Sequence, residues 1–139
     1  MPSFIYSQKF KDVSSTSLRI SLGLVFLLFG ALKVLGQSPI LDLVNSSFPL
    51  FATAKGFFAL GLIEMILGLS LLINKFVSVS SIIMVLHLLG TFLVFITGPE
   101  LMFEPGSLAL TMAGEFVVKN LVLITAGLVV LAHSQESKS

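Results

Sequence analysis

The stretch GLIEMILGLSLLINKFVSVSSIIMVLHLL, residues 61–89, decides the fold of this chain. It holds two apolar runs on either side of the short turn Asn74–Phe76, with one acid, Glu64, in the first run and one histidine, His87, in the second. An apolar run of about 18 residues or more predicts a helix that crosses the hydrocarbon core of a bilayer. Two such helices joined by a tight turn form an antiparallel hairpin. Because Glu64 and His87 lie nearly equally far from the turn, we expect them to share a level near the bilayer centre.

Apolar runs of spanning length occur at four places in the 139 residues. All the prolines, which interrupt helices, fall outside them. The sequence therefore predicts an all-α membrane protein, a single left-handed, antiparallel bundle of four transmembrane helices over residues 17–132. A cytoplasmic segment, 1–16, precedes the bundle and a cytoplasmic tail, 133–139, follows it. We place the four helices at about 17–35, 57–73, 77–97 and 114–132.

The connections between the helices predict the orientation and one further element. Five of the eight lysines and arginines lie on the side of the termini and two lie on the other side. Both termini are therefore expected in the cytoplasm, with the bundle in the cell membrane. In the first extracytoplasmic loop, Ser38 and Pro39 are typical of a helix start. The apolar residues between 40 and 44 then predict a short interfacial helix.

The composition excludes several classes of function. Charged residues make up 11% of the chain, against about 25% in a soluble domain, so the expected solvent is lipid. A net charge of +1 excludes a nucleic-acid partner, which requires a dense basic patch. The chain has no cysteine, which excludes disulfides, iron–sulfur clusters and CxxC redox motifs. Any electrons that pass nearby are carried by a bound molecule or by another subunit.

The ionisable residues at mid-membrane depth are the candidate functional groups. One such residue costs roughly 2.5–3.5 kcal/mol on insertion and by default marks a functional site or a partner. Glu64 and His87 can exchange a proton without a change in net charge, which suits a proton relay or a polar ligand site. The structural alternative is a hydrogen bond that fixes the register of two helices. A metal site is not expected, because one histidine and one glutamate are too few ligands.

The fourth predicted helix adds polar residues close to this level. Lys119 and Asn120 lie about a turn and a half inside it. Glu115 precedes Lys119 by four positions, which favours a local ion pair, and the lysine could also snorkel outward. The alternative is that Lys119 faces the bundle interior and shares a site with Glu64.

Two further residues complete the candidate site. Thr91 lies one helical turn from His87, whereas Lys33, near the outer end of the first helix, is expected to snorkel toward the headgroups. We predict a polar cluster in the outer half of the bundle, formed by Glu64, His87, Thr91, Lys119 and Asn120. The candidate ligand or relay residues are Glu64, His87, Thr91, Glu115, Lys119, Asn120 and Lys33.

Glycine spacing predicts where the helices pack. Gly23 and Gly30 are seven residues apart, as are Gly61 and Gly68. Seven residues make two helical turns, so each pair lies on one face of its helix. Small residues on one face let two membrane helices approach closely.

Four strings in the sequence, taken together, resemble the DoxX-like superfamily of four-helix membrane proteins. They are LRISLGLVFLLFGALKVLG, GLIEMILGLSLL, LHLLGTFLVFITGPE and LTMAGEFVVKNLVLITAGLVV, and the resemblance covers about residues 18–132. The pattern GEFVVKNLVLITAG and the TF…P motif after the third helix look most similar to the branch with the reactive-chlorine-resistance inner-membrane protein.

The resemblance implies a four-helix bundle in the cytoplasmic membrane, linked to oxidant or sulfur-redox metabolism and often found beside redox partners. It brings no catalytic assignment with it. The positions that match the family pattern are Arg19, Gly23, Gly30, Lys33, Glu64, Gly68, Thr91, Pro99, Glu115, Lys119 and Asn120.

These observations lead to three hypotheses of function. The first is a non-catalytic subunit that binds a lipophilic small molecule or a redox partner in oxidative-stress or respiratory-type metabolism. The thirteen phenylalanines could line a pocket for a quinone-like lipid. The alternatives are a small transporter or proton pathway, which would need a homo-oligomer because four helices are few for a pore, and a structural or assembly factor. An enzyme in its own right is the least supported class, because no catalytic nucleophile or cofactor motif is recognisable.

Overall fold

The computed structural model describes residues 3–38, 40–47 and 53–139. Within these ranges the chain is helical, without a β-strand. In the described residues, a 3-10 turn, Ser3–Tyr6, precedes seven α-helices. They are α1 (Gln8–Val34), α2 (Leu41–Ser47), α3 (Ala54–Leu72), α4 (Val77–Thr91), α5 (Val94–Thr97), α6 (Pro99–Met102) and α7 (Met112–Glu136).

Within the described ranges, four helical segments are long and apolar enough to cross a membrane. They are α1, α3, α7, and α4 taken together with α5 as one segment, Val77–Thr97. This confirms the prediction of an all-helical protein with four helices of spanning length and composition. Neighbouring helices run antiparallel. For example, Ser78 near the start of α4 lies 2.9 Å from Ser134 near the end of α7, measured between the hydroxyl oxygens.

The helices begin earlier than the apolar runs suggest. The first, second and fourth long helices start at Gln8, Ala54 and Met112, rather than at about 17, 57 and 114. Each start is set by a hydroxyl side chain that accepts a hydrogen bond from a backbone N–H of the first turn. The capping residues are Ser7, Thr53 and Thr111. An apolar run marks what a bilayer can solvate, whereas the helix ends where its terminal backbone groups find partners.

The turn between α3 and α4 is held by side chains as well as by backbone. Asn74 and Phe76 adopt positive φ values of 59° and 54°, which reverse the chain within a few residues. The Ser70 hydroxyl donates to the carbonyl of Lys75, and Ser80 donates to Ser70 over 2.8 Å. The predicted antiparallel hairpin is therefore present, and it brings Glu64 and His87 to the same level.

The predicted short helix in the first connection is α2, Leu41–Ser47. Ile40 and Val44 pack on Phe57 and Leu60 of α3, so this segment covers the side of the bundle. Pro39, which we predicted as part of the helix start, lies outside the described residues.

The most extensive helix contact joins α1 and α3, and the four predicted packing glycines lie in it. Gly23 lies opposite Gly68, and Gly30 lies opposite Gly61, with backbone against backbone. A Cβ at Gly68 would come within 2.6 Å of the carbonyl oxygen of Gly23. The two helices can therefore approach this closely only because these positions carry no side chain.

An apolar layer fills the bundle near the α3–α4 turn, around Leu71 and Met84, both fully buried. A second apolar cluster, around Val94, Met102 and Val117, fills the opposite end. The polar residues of the predicted site lie between these two layers.

Candidate functional site: a buried polar pocket

A buried ion-pair network lies where α1, α3 and α4 meet. Nζ of Lys33 lies 2.7 Å from Oε2 of Glu64, and Nε2 of His87 lies 2.9 Å from Oε1 of the same carboxylate. The side chains of Lys33 and Glu64 are 2% and 5% exposed, and that of His87 is 18% exposed. One carboxylate therefore ties three helices together, with a cation on one oxygen and an imidazole on the other.

The two oxygens of the Glu64 carboxylate pair with two different neighbours. An ionised carboxylate only accepts hydrogen bonds, so with Glu64 paired to the lysine cation, Nε2 of His87 is the donor. The pair formed by the Lys33 cation and the Glu64 carboxylate has no net charge. Neutrality matters here because an uncompensated charge in an apolar interior costs several kcal/mol. The ring of Phe29, 5.9 Å from Nζ of Lys33, adds a cation–π contact.

Lys33 points into the bundle, and the expectation that it snorkels outward was wrong. A Cβ added at Gly61 would lie 2.8 Å from the Cβ of Lys33, so the lysine side chain starts against the backbone of α3. Lys33 follows Gly30 by three positions, and Glu64 lies between Gly61 and Gly68, so both charged residues lie on the glycine faces that pack together. Because α1 and α3 run antiparallel, the long side chain of Lys33 extends past Gly61 to reach Glu64. The glycine faces are a sequence signal that places both residues between α1 and α3, but this signal does not specify the pairing.

A second polar pair, Thr91 on α4 and Asn120 on α7, lies beside the first. The Thr91 hydroxyl donates to the carbonyl of Leu88 over 2.6 Å, and Nδ2 of Asn120 donates to the Thr91 oxygen over 3.0 Å. Both residues are buried. The structure thus brings Glu64, His87, Thr91 and Asn120 to one place, together with Lys33.

Lys119 and Glu115 lie outside this cluster, which corrects the prediction that placed Lys119 inside it. Their side chains are 75% and 59% exposed and pair with each other over 3.7 Å. The buried face of α7 runs through Val117, Asn120 and Ile124, at spacings of three and four residues. Lys119 is one position away from that face, about 100° around the helix. Glu115 and Lys119 are therefore not candidates for contact with a ligand in the pocket.

A cavity of about 30 Å³ lies between the two polar pairs, which is room for about one or two water molecules. The rings of Phe26, Phe29 and Phe116 form part of its apolar walls, and no pattern in the sequence distinguishes them from the other phenylalanines. Ile40 and Val44 also line it, and they come from the short α2 region rather than from the long helices. Their role could not be read from the sequence, because it depends on how the first connection folds back.

The opposite end of the bundle carries separate polar groups. Arg19 donates to the carbonyl of Leu71 at the end of α3, where the helix dipole favours a cation. A second cavity, of about 170 Å³, lies next to Arg19 and His133. The apolar layer that includes Leu67 and Met84 separates it from the cavity at Glu64.

Known proteins do not indicate what this pocket does. No protein-family model matches this chain, and no curated protein or solved structure gives a significant match. In this pocket an ion pair, an imidazole and an amide face a small cavity, and phenylalanine rings and aliphatic side chains form its other walls. Such walls suit a molecule with a polar head and an apolar body.

Proposed function

We propose that this chain is a multi-pass membrane protein of the DoxX-like type that binds a lipophilic small molecule in the pocket at Lys33, Glu64 and Asn120. The ligand carries a small polar head of the quinone type. The protein acts as a non-catalytic subunit, beside a redox partner, in oxidative-stress or respiratory-type metabolism. We infer the binding site from the cavity, because buried polar groups and phenylalanine rings line it together. The likeness of the sequence to DoxX-like proteins supports the metabolic setting.

The cost of burying ionisable side chains supports a site rather than a packing device. Apolar residues of similar volume often stabilise a protein as well as a buried ion pair does, or better. Lys33 and Glu64 are therefore not needed for packing strength. Intramembrane ionisable residues mark ligand, proton or ion sites by default, and these two border a cavity.

The size of the cavity indicates how a ligand enters. A cavity of about 150 Å³ takes up a benzene ring, and the present cavity of about 30 Å³ is far smaller, so a ring fits only if its walls move. Ile40 and Val44 line the cavity from the α2 region. Displacement of these two side chains enlarges the pocket without separating the four long helices.

Native mass spectrometry of the protein, released from nanodiscs of its own membrane, tests the proposal. We expect the wild type to carry a stoichiometric small molecule and Glu64→Gln to lose it. Glu115→Gln is the matched control, because it makes the same change in an exposed ion pair and should keep the molecule. A wild type without ligand, or equal loss from both variants, would contradict the proposal.

We also infer that the bundle lies in the cytoplasmic membrane with both termini in the cytoplasm, as the distribution of basic residues suggests. The absence of native cysteine makes this simple to test with single-cysteine variants. A membrane-impermeant maleimide should label Ser107→Cys in intact cells and Ser139→Cys only after the cells are permeabilised. Both serines are exposed. The reverse labelling pattern would invert the proposed orientation.

A structural role is the second candidate, favoured by the single carboxylate that joins three helices. It predicts that Glu64→Gln lowers stability and leaves the content of bound small molecules unchanged. A proton pathway through one chain is less favoured, because the apolar layer around Leu67 and Met84 interrupts the polar groups on one side of the pocket.

A further inference from the structure

We infer that the pocket takes a ligand whose head both donates and accepts a hydrogen bond, namely a phenol or quinol hydroxyl, in preference to a quinone carbonyl. This inference rests on the proposed function and specifies the ligand of that site. It follows from the hydrogen-bonding capacity that the buried side chains leave unused.

Thr91 determines which way the amide of Asn120 points. The hydroxyl hydrogen of Thr91 is directed at the carbonyl of Leu88, 2.6 Å away, so its oxygen can only accept a further hydrogen bond. The Asn120 atom 3.0 Å from that oxygen is therefore the amide nitrogen Nδ2. The carbonyl oxygen, Oδ1, is consequently directed away from Thr91.

Oδ1 of Asn120 is an unused acceptor at the cavity. Asn120 is 2% exposed and lines the cavity. Among the described residues, no donor reaches its Oδ1. In all the described residues, the Ser81 hydroxyl is the one side-chain polar atom that is completely enclosed and has no partner. Oδ1 of Asn120 is therefore not completely enclosed. Oδ1 therefore keeps access to the cavity, where a donor on a ligand can pair with it.

Lys33 supplies unused donors on the same cavity. An ammonium group has three N–H donors, and one carboxylate oxygen of Glu64 takes one of them at 2.7 Å. Among the described residues, no other hydrogen-bond acceptor pairs with Nζ, the ring of Phe29 lies 5.9 Å from it, and Lys33 also lines the cavity. The pocket thus offers a donor from a cation and an acceptor from an amide.

A hydroxyl satisfies both groups, since it accepts from Lys33 and donates to Asn120. A quinone carbonyl or an ether oxygen satisfies Lys33 alone and leaves Oδ1 of Asn120 buried and unpaired, which is unfavourable. The volume of about 30 Å³ matches a hydroxyl group, so the ring that bears it lies toward Phe26, Phe29 and Phe116. A reduced quinol therefore binds more tightly than its oxidised quinone.

Two probes, one of which carries a methyl group in place of the hydroxyl hydrogen, test this inference without redox chemistry. They are 4-decylphenol and its methyl ether, titrated against the protein in nanodiscs, with empty nanodiscs as the partition control. We expect the wild type to bind the phenol roughly tenfold more tightly than the ether, as one additional hydrogen bond provides. Asn120→Leu replaces the amide with a side chain of similar size that has no acceptor. This variant should bind the two probes with equal affinity.

Further variants keep the test decisive if Asn120→Leu folds poorly. Thr91→Val removes the group that orients the amide and should reduce the preference for the phenol in part. Lys33→Met should weaken both probes. A decylbenzoquinol and its quinone, measured under reducing and oxidising conditions respectively, should show the same order as the phenol and the ether.

The possible outcomes separate this inference from the proposed function. Equal affinity for the phenol and the ether, with loss of both in Glu64→Gln, overturns the donor-and-acceptor head and leaves the lipophilic site in place. A preference for the phenol that persists in Asn120→Leu overturns the role of Asn120. If neither probe binds above the empty nanodiscs, the proposed function is overturned as well.

Discussion

Two lysine–glutamate pairs among the described residues, Lys33–Glu64 and Lys119–Glu115, have the same chemistry in opposite surroundings. In the first pair the nitrogen and oxygen are 2.7 Å apart and the side chains are 2% and 5% exposed. In the second the distance is 3.7 Å and the exposures are 75% and 59%. Breaking a buried pair costs about 3–5 kcal/mol, whereas an exposed pair contributes about 0–1 kcal/mol. Burial, rather than residue type, decides which pair matters to the fold and can serve a ligand.

Removal of the lysine should have the largest effect and the clearest contrast between the pairs. Lys33→Met leaves Glu64 as a buried carboxylate without a cation, so we expect the free energy of unfolding to fall by about 3–5 kcal/mol. Reversible unfolding in mixed detergent micelles measures this change. The control is Lys119→Met, for which we expect a change below about 0.5 kcal/mol. Similar losses in the two variants would show that burial does not distinguish the pairs.

Removal of both charges should restore part of the loss at the buried pair. The double variant Lys33→Met/Glu64→Leu leaves no uncompensated charge, so we expect it to be more stable than Lys33→Met by about 2 kcal/mol. The same unfolding assay completes the double-mutant cycle. The corresponding double variant at Lys119 and Glu115 should show no coupling. If the losses at Lys33 and Glu64 simply add, the two side chains do not act as a pair.

A change in the glycine contact should disturb the buried pair indirectly. A Cβ at Gly30 would meet the backbone at Gly61 and Met65, so Gly30→Ala should separate α1 from α3 and cost about 1–3 kcal/mol. Gly127→Ala is the control, because its Cβ would meet only the side chain of Val85, at 3.0 Å. We expect little loss there, since alanine also favours the helix. Equal destabilisation of the two variants would show that the contact between α1 and α3 does not require glycine at position 30 more than α7 requires it at position 127.

The smallest expected effect tests the second polar pair. Thr91→Val removes the acceptor for Nδ2 of Asn120, and we expect a loss of about 1 kcal/mol. Thr125→Val is matched, because Thr125 also donates to its own helix but is exposed, and it should change stability by less. A larger loss of stability in Thr125→Val than in Thr91→Val would show that the hydrogen bond between Thr91 and Asn120 contributes little to stability. Thermal unfolding of the detergent-solubilised protein is sensitive enough for this comparison.

The long helices could be predicted because the requirement that defines them is simple. A run of apolar residues must be long enough to cross a hydrocarbon layer, and such runs are visible without knowledge of the neighbouring helices. The ends of the helices were predicted less well, as at Gln8 and Met112. They depend on single capping hydroxyl groups in polar segments, which hydropathy does not register.

By itself, the sequence determined the all-helical fold, the four helices of spanning length and the hairpin that sets Glu64 level with His87. Only the tertiary structure decided which lysine pairs with Glu64. Local spacing favours Glu115 with Lys119, one helical turn apart, and it carries no direct information on a partner 31 residues away. The pairing of Lys33 with Glu64 depends on how α1 and α3 are rotated about their own axes. That rotation is set where Gly30 and Gly61 let the two backbones meet.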